Sequence, residues 1–99
     1  MANYLFLYTG GTPPASEAEG QKVMAAWMGY FGRMGDRIVD GGAPLGERQV
    51  VAGAAPSGAT GYSIIRADSL AEAVSYTEGH PHLLSGGHIE VIETVPVQM

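Results

Sequence analysis

Residues 61–97, GYSIIRADSLAEAVSYTEGHPHLLSGGHIEVIETVPV, decide how the chain is to be read. The opening GYSIIRA is rich in β-branched and aromatic residues and reads as a strand. It runs into Ser69 with Glu72 three residues on, the spacing of a capping box that satisfies orphan backbone donors at a helix start. The helix that follows is expected to turn Leu70, Ala73, Val74 and Thr77 inward. Gly79 suits the left-handed residue beyond a helix end, and Pro81 forbids continuation. HIEVIETVPV then predicts a last strand, with Ile89, Val91 and Val95 on one face and His88, Glu90 and Ile92 on the other, closed by Pro96.

The first half repeats this grammar. NYLFLYT, residues 3–9, is an apolar and aromatic strand stopped by Gly10 and Gly11. Tyr4, Phe6 and Tyr8 share one face, and Leu5 and Leu7 share the other. Past Pro13 and Pro14, Ser16 and Glu19 form a second capping box. Val23, Met24, Trp27, Met28 and Phe31 then recur as an apolar helical stripe that ends near Gly35. RIVDGG, residues 37–42, predicts a strand broken at paired glycines, RQVVAG a further extended segment, and residues 53–61 a loop. The order is that of an α+β, ferredoxin-like split βαβ fold (βαββαβ), a single domain over residues 1–99 with both helices on one face of an antiparallel sheet. If Leu5 and Leu7 point at the helices, then Tyr4, Phe6, Tyr8, Tyr62, Ile64 and Ile92 lie on the open face. Water covers such a patch poorly, which predicts a homodimer stacked sheet on sheet.

Composition narrows the function classes. With 45% hydrophobic and 15% charged residues the chain is globular in character, and with no cysteine it has neither disulfides nor thiolate sites. Its net charge of −5 opposes a nucleic-acid backbone. The N-terminus lacks the pattern of an export signal and no apolar run is long enough for a membrane span, so a cytoplasmic protein is expected.

The stretch 61–97, together with YLFLYTGG near the N-terminus and GGAPLG at residues 41–46, resembles the YCII-related (DGPF-domain) family. That resemblance implies a ferredoxin-like fold dimerising into an α/β barrel, with a function largely unassigned. The DGPF tetrapeptide is absent and the region 45–60 is shorter than is usual in the family. Compact members are thought to pair a histidine on the first helix with an aspartate before the proline that follows the second. Here the first helix has no histidine and His80 precedes Pro81.

All three histidines, His80, His82 and His88, fall within nine positions. Pro81 biases His80 toward extended backbone, and residues two apart in an extended segment face the same side, so His80 and His82 are expected to converge. An imidazole can move protons near neutral pH or bind a metal, but a stable metal site needs three or four placed ligands. No metal and no cofactor are assigned. A cation-capable group beyond a helix end is also favoured by the helix dipole alone. Asp40 stands before Gly41 and Gly42, where it serves either as a base or as the cap of its own turn. Trp27 reads as core or pocket wall, and Arg66 as an ion-pair partner of Glu90 or as an anion contact. The glycine clusters lack the lysine and spacing of a phosphate loop, and no serine sits in a nucleophile elbow.

Two functions follow. One is a homodimer with an apolar pocket between sheet, helix and partner chain, in which a small organic molecule undergoes proton transfer by His80 and His82 with Asp40, while Trp27, Tyr62, Arg66 and His88 bind it. The other is a noncatalytic ligand-binding or protein-interaction module.

Overall fold

The computed structural model of the protein describes residues 2–97. Four strands, β1 (Ala2–Gly10), β2 (Ile38–Pro44), β3 (Ala59–Ala67) and β4 (Gly87–Glu93), form one sheet in the order β2-β3-β1-β4, every neighbouring pair antiparallel. The helices are α1 (Glu17–Met34), α2 (Leu70–Ser75) and α3 (Pro81–Leu84), with a 3-10 turn at Gly35–Arg37. This is the α+β, ferredoxin-like arrangement, a four-stranded antiparallel sheet with helices on one face. Among the described residues no helix is long and apolar enough to cross a membrane.

Both capping boxes form, each reaching one residue further back than the usual pattern. The Ser16 hydroxyl accepts from the Glu19 amide at 3.1 Å while the Glu19 carboxylate accepts from the Ala15 amide at 2.9 Å. Ser69 and Glu72 repeat this with Asp68. Helix α1 stops at Gly35, whose positive φ of 54° suits a residue without Cβ.

The two faces of β1 are the reverse of the sequence expectation. Tyr4, Phe6 and Tyr8 are buried under the helices with Tyr30, Met34, Ile65, Ala67 and Ala73. Leu5 and Leu7 lie on the open face beside Tyr62, Ile64 and Ile92, which do fall there. The cause is size matching across strands: Phe6 is opposite Ser63 and Tyr8 opposite Gly61, so small residues on β3 leave room for rings on β1. A Cβ at Gly61 would come within 3.3 Å of the Tyr8 ring.

Other expectations shift with it. The inward stripe of α1 is rotated: Tyr30 and Met34 are buried and Trp27 and Phe31 pack on the core, whereas Met24 and Met28 are 64% and 69% exposed. On the short α2 only Ala73 is buried, and Leu70 and Val74 are exposed. RQVVAG, residues 48–53, forms no strand, and Val95 lies beyond the end of β4 and is exposed. Proline 81 opens a helix of its own as the first residue of α3, the position where its missing N–H costs nothing. Strand β2 bulges twice against β3, and at Gly42, where φ is 76°, a Cβ would overlap the Tyr62 carbonyl oxygen.

Candidate functional site

Helix α1 and the β2–β3 side of the sheet enclose a pocket of about 410 Å³, within the size range of small-molecule sites. Met24, Trp27 and Phe31 wall it from the helix, Gly41–Pro44 form one rim, and Tyr8, Ser63 and His82 lie among its other lining residues. Neither lysine nor arginine lines it.

Behind this pocket His80 is wholly buried, with Tyr30, Trp27, Tyr8 and Phe6 rings around it at centroid distances of 4.4, 4.9, 5.2 and 6.1 Å. Its protonation follows from the network. The His82 backbone amide donates to His80 Nδ1 at 3.1 Å, and an amide can only donate. The proton of the neutral ring therefore sits on Nε2, which donates to Tyr8 Oη at 3.1 Å. Tyr8 in turn donates to Ser63 Oγ at 2.8 Å, and Ser63 to the Gly41 carbonyl at 2.9 Å. The chain runs one way, from an amide that can only give to a carbonyl that can only accept. Burial, with the nearby His82 and Arg33, lowers the His80 pKa to about 4. Burial also pushes the Tyr8 phenol up to about 12, against the opposing pull of its bond to Ser63.

His82 is held differently. The β1–β3 register shifts between Tyr8 and Thr9, and the Thr9 carbonyl just beyond the shift lies 2.8 Å from His82 Nε2, which must donate to it. Its Nδ1 has no hydrogen-bond partner among the described residues and is not sealed, since none of their buried side-chain nitrogens or oxygens lacks a partner. The alternation expected of His80 and His82 ends at Pro81, because His82 is already helical. Both imidazoles nevertheless flank one ring, that of Tyr8, at 5.2 and 5.1 Å.

Of the residues singled out in the sequence, Trp27 and His82 line the pocket, Tyr62 borders it from a strand position whose side chain faces the open side, and His80 stands behind it. Asp40 is an exposed residue of β2, between its two bulges, that accepts from the Gly42 amide at 2.8 Å and from the Tyr62 hydroxyl at 3.4 Å. Arg66 and His88 are exposed, in register with Asn3 and Thr9 on the open face, away from the pocket. Tyr8, Ser63, Phe31 and Met24 were not anticipated as site residues. For Ser63 the signal was its place among small residues alternating with large ones along GYSIIRA. Among the described residues no three of His, Asp and Glu gather into a metal-ligand set.

No family model and no curated protein matches the sequence. Among solved structures, 5-chloro-2-hydroxyhydroquinone dehydrochlorinase from Burkholderia phenoliruptrix, in complex with 2,5-dihydroxybenzoquinone, is similar over 91% of each chain, with a TM-score of 0.53 and 22% identity. The chain shares the fold of that enzyme. The likeness is consistent with the YCII-like fold implied by residues 61–97.

Proposed function

We propose that the protein is a cytoplasmic, homodimeric YCII-related protein that binds a small organic molecule between α1 and the sheet and transfers a proton on it with His82. The observation that carries this reading is the division of labour within one imidazole on the pocket wall. Nε2 is pinned to the Thr9 carbonyl while Nδ1 is left without a protein partner. A general base needs that combination of fixed orientation and a free lone pair. The structural neighbour is a dehydrochlorinase holding a dihydroxybenzoquinone, which supports a small-molecule site on this scaffold. His80, neutral and sealed, serves as a positioning group that fixes the turn carrying His82, and Asp40 shapes the β2 rim.

The test is proton exchange in deuterium oxide over a panel of phenols and enolisable ketones, followed by NMR. Catalysed exchange that disappears in His82→Gln while ligand binding persists is the expected result. Binding without exchange in the native protein would leave the second reading, a noncatalytic ligand-binding module, which is favoured by the lack of any carboxylate among the pocket-lining residues. Failure of the whole panel to bind would overturn both.

A further inference from the structure

The hydroxyls lining the pocket have already given their hydrogens to the protein. Tyr8 donates to Ser63, Ser63 to the Gly41 carbonyl at 2.9 Å, and Thr60 to the Tyr8 carbonyl at 3.3 Å, while the Tyr62 side chain lies on the open face and gives its hydrogen to Asp40. The Nε2 hydrogen of His82 is likewise spent on Thr9. What these side chains offer a ligand is lone pairs, and the nitrogen among them with no hydrogen-bond partner in the described residues is His82 Nδ1, beside Gly11. The single exception is the indole N–H of Trp27, which has no partner among the described residues and belongs to the helix wall. No lysine or arginine lines the cavity, while Tyr8, Trp27 and Phe31 give it ring-bearing walls.

From these directions we infer that the pocket selects uncharged, flat, hydroxyl-bearing aromatic molecules, whose hydroxyl donates to His82 Nδ1, over their ethers and over aromatic carboxylates. The inference rests on the ligand-pocket reading above and adds the chemical class. An ether of the same shape has no hydrogen to give, so the acceptor at Nδ1 loses its water without replacement. A carboxylate meets a lone pair where it needs a donor, and it is desolvated among rings with no cation to compensate it.

The experiment titrates the full chain with β-naphthol, its methyl ether and β-naphthoate at about pH 8, where a phenol keeps its proton and a carboxylate is charged. The readouts are the NMR signals of the Trp27 indole N–H, unambiguous because the chain has one tryptophan, and of the Met24 methyl. The naphthol is expected to bind at least about tenfold more tightly than either analogue, the worth of one well-made hydrogen bond. His82→Phe is expected to bring naphthol and ether to similar affinities. An ether or carboxylate that binds as tightly as the naphthol would overturn the inference and leave the pocket reading intact, as would a preference that survives His82→Phe. If none of the three moves either signal, the pocket reading falls and the inference with it. The ranking in the native chain decides the matter alone if the variant does not fold.

Discussion

The imidazole of His82 sits where the side chain of residue 87 would be: a Cβ on Gly87 would fall on Nε2 and within 2.5 Å of Cδ2 and Cε1. Gly87 is buried and its φ is not in the left-handed region, so space rather than backbone conformation demands a glycine here. Gly87→Ala is expected to displace the ring from the Thr9 carbonyl and to cost about 1–3 kcal/mol, the usual range for overpacking. In a His82→Ala background the same change should cost far less. A coupling of about 1 kcal/mol or more in a urea-denaturation double-mutant cycle is the expected outcome, and additive effects would show that the ring does not occupy that space.

The one-way chain from His82 to Gly41 makes its members interdependent. Tyr8→Phe strands the Nε2–H of His80 and takes the donor from Ser63, whereas Ser63→Ala strands the Tyr8 hydroxyl and the Gly41 carbonyl. Each single change is expected to cost about 1–3 kcal/mol because it leaves buried polar groups unsatisfied. The double variant should cost less than their sum, since each single change already breaks the Tyr8–Ser63 bond. Chemical denaturation of the three variants checks this.

The order of elements, both helix starts and the antiparallel sheet were legible because each is written locally: Ser16 with Glu19, Ser69 with Glu72, and Pro81 after Gly79. The orientation of β1 was not, because both of its faces are apolar and alternation alone cannot choose between them. The choice is made by Gly61 and Ser63 opposite Tyr8 and Phe6, a cross-strand relation invisible until the register is known. The histidine-rich turn was legible as a special place. That His80 would be sealed while His82 met the pocket depends on Pro81 starting a new helix, where an extended segment was expected.

Acid should weaken the fold through His80. Its folded pKa of about 4 lies below the ordinary imidazole value of 6.5, so between these values the unfolded chain takes up a proton that the folded chain refuses. This contribution is fully present above pH 6.5 and falls as the pH drops toward about 4, by about 1.4 kcal/mol per pH unit, below which both states are protonated and it is gone. His80→Gln can still donate to Tyr8 but does not titrate, so its stability should change less over this window. Urea midpoints of the two proteins at a series of pH values check this, and parallel curves would remove His80 as the cause.

The open face of the sheet leads to the remaining prediction. Leu5 is paired with Ile64 on one side and Ile92 on the other, and Leu7 with Tyr62 and Glu90, so five large apolar side chains gather at the centre of a face that no helix among the described residues covers. Arg66 and Glu90 are exposed on the same face, at opposite sides of β1, where a two-fold mate can set each against the other's counterpart. Sedimentation at micromolar concentration is expected to show a dimer. Ile64→Asp, which places a charge in the middle of the apolar patch without entering the helix-side core, is expected to give a folded monomer with the Trp27 environment unchanged, because the pocket lies on the other face. A native chain that sediments as a monomer would mean that water covers this face, and the half-buried leucines and isoleucines would then be the first place to look for aggregation.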